Sequence, residues 1–159
     1  MENEGTMATT KVILFTLDNE TYGVPIDQVL SIERIQSVTR VPNAAPFVEG
    51  VMNLRGLVIP VINVRRRFLM QPSELTKESR IIIVEVDSVQ VGLLVDAAKE
   101  VLDLETDKIE KTPEIVGGLK ADYISGVCGI DADHLLILLD LKHVLNDKEM
   151  DDLKSIEGA

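Results

Sequence analysis

The chain has 159 residues with 16 Lys and Arg against 27 Asp and Glu, a formal charge of −11. That balance excludes a general nucleic-acid binder, whose affinity would come from clustered Lys and Arg. Hydrophobic residues make up 45% and aromatics only 3%, with no Trp, so a soluble globular core of Val, Ile and Leu is expected, and such residues pack best in an all-β fold.

The opening Met1-Glu2-Asn3-Glu4-Gly5 is acidic and polar where an export signal would be basic and then apolar, and residues 1–10 read as a frayed tail. No apolar run approaches the roughly 18 residues that span a bilayer, so no membrane insertion and a cytoplasmic location are expected. Val12 to Leu17, the turn residues Asp18-Asn19-Glu20 and the run Thr21 to Val24 read as a hairpin. Apolar residues at Ile26, Val29, Leu30 and Ile32 then have a spacing that predicts a short helix before Arg34. Arg40 to Pro46 is a loop fixed by two prolines. A second hairpin is expected where Phe47–Met52 and Leu57–Val64 flank Asn53-Leu54-Arg55-Gly56, with Pro60 placing its strand at an edge or a bulge. Residues 71–79 form a polar connection.

The next block repeats the first. Ile81 to Asp87 matches Val12 to Asp18 at an offset of 69, which also pairs Gly23 with Gly92, Ile26 with Val95 and Asp27 with Asp96. Pro42 answers Pro113, Phe47–Val51 answers Tyr123–Val127, and the run through Val64 answers Leu135 to Leu141. Each half is too small to bury much surface alone. Two pseudo-duplicated five-stranded β-barrels are therefore expected, over about 11–74 and 75–145, with a groove between them. Asn146 to Glu149 reads as a helix N-cap, with Met150, Leu153 and Ile156 at helical spacing, so 146–159 is expected to be a C-terminal helix and tail.

Catalytic chemistry is hard to find. Cys128, the only cysteine, excludes an internal disulfide and reads as a buried inert thiol. Asp131, Asp133 and His134 lack the further oxygens of a calcium loop and read as a charged turn, and His143 reads as solvated. Gly117-Gly118 has no phosphate-loop context. Glu100, Asp103, Glu105, Asp107 and Glu110 read as the wet side of a segment whose Val101, Leu102, Leu104 and Ile109 turn inward. Arg65-Arg66-Arg67 is expected to pair with the chain's own acids. No catalytic residue, metal or cofactor is expected, and a small hydrolase working through surface carboxylates is disfavoured because no nucleophile and base can be paired. Arg55 stands out, since Gly56 has a backbone reason to end a tight turn and Arg55 does not.

Gly50 to Gly56 (GVMNLRG) followed by Val58-Ile59-Pro60-Val61-Ile62, with Val91 to Asp96 and Tyr123 to Val127, closely resembles the CheW family of chemotaxis coupling proteins from about Lys11 to Leu145. The resemblance implies two intertwined five-stranded SH3-like barrels with short helices and a non-enzymatic adaptor. Its implied partners are the cytoplasmic tips of methyl-accepting chemoreceptors and the regulatory domain of the histidine kinase CheA, with recruitment to receptor arrays at the inner face of the membrane. An adaptor of a related non-flagellar array is the alternative. Carried over by position, the receptor-facing residues would be Val29, Ser31, Ile32, Gly50, Arg55, Gly56, Gly92 and Ala98, with the kinase-facing residues unassigned. Two departures stand out: the family's frequent acid between Val29 and Ile32 is missing, with Glu33 as a possible stand-in, and Asn63 replaces an acid, so no ion pair is expected from that position.

Overall fold

The computed structural model describes residues 8–110, 115–116, 119–131 and 134–145. In chain order the strands are β1 (Thr9–Leu17), β2 (Glu20–Pro25), β3 (Val29–Arg34), β4 (Val48–Leu54) and β5 (Leu57–Asn63), followed by the one-turn helix α1 (Val64–Arg67). There follow β6 (Arg80–Val86), β7 (Val89–Val95), β8 (Ala97–Glu105), the short pair β9 (Ile115–Val116) and β10 (Leu119–Lys120), β11 (Ile124–Asp131), β12 (His134–Leu139) and α2 (Leu141–Val144). The expected terminal helix, Gly117-Gly118 and Asp133 lie outside the described residues. β1 begins at Thr9 because its ladder with β8 extends to Thr9↔Glu105, so the tail is shorter than expected.

Two five-stranded sheets form, one in the order β11-β12-β2-β1-β8 and the other β3-β6-β7-β5-β4. Each is joined by one parallel pairing, β12 with β2 and β5 with β7. The sheet boundary therefore does not follow the repeat boundary at 74/75: β1 and β2 join strands of the second half, while β6 and β7 join strands of the first. Hydrogen bonding between halves intertwines them. Neither sheet closes into a continuous barrel, but single bridges, Thr39↔Val51 and Glu110↔Val127, tie the chain beyond β3 and β8 to the opposite edges β4 and β11. The strand pairing is SH3-like with open barrels.

Two sequence expectations fail for local reasons. The segment expected to be helical is a 3-10 turn, Ile26–Gln28, followed by β3. A bulge separates Val29↔Val84 from Ser31↔Ile83, and the next pair is Ile32↔Ile82. Directly opposed residues share a face, so Val29 and Ile32 lie on the same side as Val84 and Ile82; the extra residue gives a strand the i, i+3 spacing of a helix. Pro60 is neither on an edge strand nor at a bulge, since β5 lies between β7 and β4. Val51, opposite Pro60, exchanges both backbone hydrogen bonds with Thr39, at 2.7 and 2.8 Å. These groups point away from β5, so the Val51–Pro60 pair is non-hydrogen-bonded and the proline nitrogen faces β7, whose ladder with β5 starts only at Val61↔Gly92.

Three apolar clusters hold the molecule together. Met52, Leu54, Ile59, Val61, Ile81, Ile83 and Leu94 fill one sheet's inner face, and Val12, Leu14, Leu104, Cys128, Leu136 and Leu138 fill the other's. Between the sheets lies the largest cluster, which contains Phe15, Tyr22, Phe47, Phe68 and Tyr123, all the aromatics of a chain with three Phe and two Tyr. Rings stack from Phe15 to Tyr22 (5.7 Å), Tyr22 to Phe68 (6.0 Å) and Phe68 to Tyr123 (5.6 Å), joining the two sheets. Val101, expected inside, is 51% exposed, because alternation along β8 turns Leu102 and Leu104 inward instead.

Three hairpins turn on two residues with positive φ: Asp18-Asn19 (54° and 70°), Arg55-Gly56 (52° and 87°) and Asp87-Ser88 (50° and 70°). Such turns match the twist of the flanking strands. Leu69 also has φ 60°, where α1 ends and where glycine is favoured, and its side chain is 91% exposed. With no packing to lose, Leu69→Gly is expected to raise stability by up to about 1 kcal/mol, read as a higher urea midpoint at unchanged slope.

Candidate interaction site

β3 divides the predicted surface into two faces. Val29 and Ile32 sit opposite Val84 and Ile82, and Ala98 sits opposite Phe15; all three opposed residues belong to the inter-sheet core. Val29 and Ala98 are half-buried and Ile32 is 43% exposed, so each stands at the margin of that core on an edge strand, Val29 and Ile32 beside the 50% exposed Leu30 on β3 and Ala98 on β8 of the other sheet. Ser31 and Glu33 face the other way, opposite Ile83 and Ile81 of one sheet's own core. Being two apart, they share a face, so a carboxylate moved from position 31 to 33 stays on it.

Arg55 approaches Glu33 from the tip of the β4–β5 hairpin. Its Nη2 lies 3.4 Å from Glu33 Oε2, a long contact made by a side chain that is 71% exposed. The turn is fixed locally by the Gly56 amide donating to Asn53 Oδ1 at 3.1 Å. A Cβ at Gly56 would meet nothing within 4 Å, so only its φ of 87° calls for glycine.

Gly50 and Gly92 do not belong to the surface. Both are buried. A Cβ at Gly50 would lie 2.2 Å from the Thr39 carbonyl oxygen, and one at Gly92 would lie 2.7 Å from Ile81 Cγ2. The close backbone approach that Gly50 permits is that of the chain's own residues 38–39, which close the edge of β4.

The basic run is fully engaged. Arg65 Nε and Nη2 donate to Asp96 Oδ1 and Oδ2 at 2.9 and 2.6 Å, Nη1 donates to the Gln71 carbonyl at 2.7 Å, and the Asp18 amide donates to Asp96 Oδ2 at 2.8 Å. Arg66 lies 3.7 Å from Glu49. Arg67 donates to the Val144 carbonyl at 2.7 Å, with its guanidinium 4.9 Å from the Phe47 and Tyr123 ring centres. Neutral Asn63 donates to Glu49 at 3.1 Å while its side chain caps α1. The offset pairing Asp27 with Asp96 was visible in the sequence, but the role of Asp96 was not, because Arg65 is 31 residues away.

The Arg65 hydrogen bonds hold the Asp96 carboxyl below its ordinary value of 3.8, against the opposing effect of burial. A carboxyl depressed in the folded state adds stability that is present above its unfolded pKa and is lost as pH falls through the folded one. Asp96→Asn should therefore lower the urea midpoint at pH 7, and the gap from wild type should shrink as the pH is taken below 3.8; an equal gap at both ends would refute this.

Among the described residues no group of three or more His, Cys, Asp or Glu is placed to hold a metal ion. His134 pairs with Asp131 at 2.8 Å and His143 with Asp140 at 2.7 Å, all on the surface. No described helix is long and apolar enough to cross a membrane.

Residues 11–149 match the family model of the CheW-like domain. The chain is 39% identical over 141 residues to the chemotaxis protein CheW of Bacillus subtilis, covering 87% of this chain and 88% of that one. It is 35% identical over 138 residues to the chemotaxis protein CheW of Klebsiella aerogenes, covering 87% and 82%. The crystal structure of the scaffolding protein TtCheW from Thermoanaerobacter tengcongensis matches with a TM-score of 0.82 at 32% identity, over 89% of this chain and 96% of that one.

Proposed function

The chain belongs to the CheW-like domain family, as a chemotaxis scaffold without catalysis of its own, and on that premise we propose that it couples methyl-accepting chemoreceptors to the regulatory domain of the histidine kinase CheA. The observation that carries the receptor half of this reading is that Val29, Ile32 and Ala98 stand on edge strands of the two sheets, each opposite a residue of the inter-sheet core, and we take them together as one apolar rim. Such a rim suits the apolar stripe of a helix from a receptor tip. Arg55, at 71% exposure, is free to turn from Glu33 toward a polar group on that helix. The protein then acts in the cytoplasm, recruited to receptor arrays at the inner face of the membrane.

The kinase half rests on family membership and on sheet edges that permit barrel-to-barrel pairing. Titration calorimetry of the full chain with the kinase regulatory domain should give a complex with a negative heat-capacity change, as apolar burial requires. No complex at tens of micromolar, on the order of the weakest affinity useful to an adaptor, would reject this reading. For the receptor half, Ala98→Glu should abolish capture of a receptor-tip hairpin while kinase binding persists, because it places an unpaired charge on the apolar rim.

A further inference from the structure

The internal repeat relates polar groups as well as strands. The alignment of Val64 with Leu141 also aligns Asn63 with Asp140 and Arg65 with Lys142, while the offset of 69 aligns Asp18 with Asp87 and Asp27 with Asp96. The helix caps obey it, since Asn63 accepts the Arg66 amide and Asp140 accepts those of Lys142 and His143. Asp96 lies where the chain crosses from β7 in one sheet to β8 in the other, and Asp27 lies where it crosses back, from β2 to β3. The cluster of Arg65, Asp96 and Asp18 therefore has a counterpart in Lys142, Asp27 and Asp87.

The two are unequal. Arg65 is only 12% exposed and grips Asp96 with two nitrogens, while Asp18 supplies a backbone donor to the same carboxylate. At the counterpart, Lys142 Nζ is 3.8 Å from Asp87 Oδ2, with side chains 62% and 53% exposed. Among the described residues the exposed Asp27 carboxylate has no partner. An ammonium lacks the planar fork that holds a carboxylate at two points, and an exposed Lys–Asp pair contributes little. The turn at Ile26–Gln28 has no side-chain cap among the described residues, and β3 starts with a bulge that interrupts its ladder.

We propose that the joint between the sheets has one fixed end and one compliant end. Arg65, Asp96 and Asp18 fix the β7–β8 crossover and hence Ala98, while the incomplete clamp at the β2–β3 crossover lets Val29, Leu30 and Ile32 shift against the inter-sheet core. These are positioning residues. At the receptor site the consequence, which rests on the adaptor reading, is that the width of the rim is set from the β3 side.

Amide hydrogen exchange on the full chain, without any partner, tests the joint itself. After division by intrinsic rates, residues 26–30 should exchange faster than residues 95–99. Asp96→Asn should speed exchange at 95–99 by about tenfold, as a lost local constraint does, and leave 26–30 unchanged. Lys142→Arg, which supplies the missing fork, should slow 26–30. Equal protection at the two crossovers, or a Lys142→Arg chain whose 26–30 exchange matches wild type, overturns the proposal, and this second variant decides the matter if Asp96→Asn does not fold. Because no receptor or kinase enters the measurement, its failure leaves the adaptor reading standing, and failure of a receptor tip to bind leaves the exchange result standing.

Discussion

Gly50→Ala is expected to cost about 3 kcal/mol or more of folding stability, at the upper end of what overpacking does. The added methyl would meet a backbone carbonyl, Thr39 O at 2.2 Å, and a carbonyl held in a bridge by two hydrogen bonds has no rotamer to change. A φ of 152° adds strain for any L side chain. Gly92→Ala provides the graded comparison. Its nearest obstacle is a side-chain methyl, Ile81 Cγ2 at 2.7 Å, which can yield by a small shift, so about 1–2 kcal/mol is expected. Urea unfolding of both variants should show midpoints falling in that order. A Gly50→Ala chain with a wild-type midpoint and lost receptor binding would instead place Gly50 at the receptor surface, as its position in the family motif implies.

Arg55→Ala should give the opposite pattern, with a nearly unchanged melting temperature and receptor affinity weakened by about 1 to 3 kcal/mol if its contact is charge-assisted. Stability is expected to hold because the only described partner, Glu33, is 3.4 Å away and Arg55 is 71% exposed. Exposed pairs of this kind contribute between nothing and about 1 kcal/mol. Alanine also keeps the same left-handed φ of 52° that arginine now adopts, so the turn gains no new strain. Gly56→Val should damage both properties, because φ 87° opposes a β-branched residue even where space is open. A lower melting temperature with unchanged receptor affinity for Arg55→Ala would assign Arg55 to the Glu33 pair alone. Measuring both quantities on this variant separates the two roles.

The legible and hidden parts of the molecule differ in range. The first hairpin, the hairpin around Arg55-Gly56 and the 69-residue repeat followed from local runs and turn residues, because alternation and turn chemistry act within a few positions. The same local reading misread Val29 to Ile32, whose helical spacing arises from a bulge against β6, about 50 residues further on. It misplaced Pro60, since the harmlessness of its missing donor depends on where the β7 ladder begins. Gly50 and Gly92, which only the family resemblance set among the receptor-facing residues, are both buried, and each is small because of a neighbour distant in sequence, Thr39 in one case and Ile81 in the other.

An all-β duplicated chain, the arginine at a hairpin tip and the family to which the motif belongs are all legible along the chain, because each is written in contiguous residues. The folded chain shows which strands the halves exchange, that every aromatic serves the inter-sheet core, and that Arg65 meets Asp96 and Asp18 across the crossover. These depend on which strand pairs with which and on how two faces meet. Pairing between distant strands is a collective outcome of burial and hydrogen-bond satisfaction, and no window along the chain contains it.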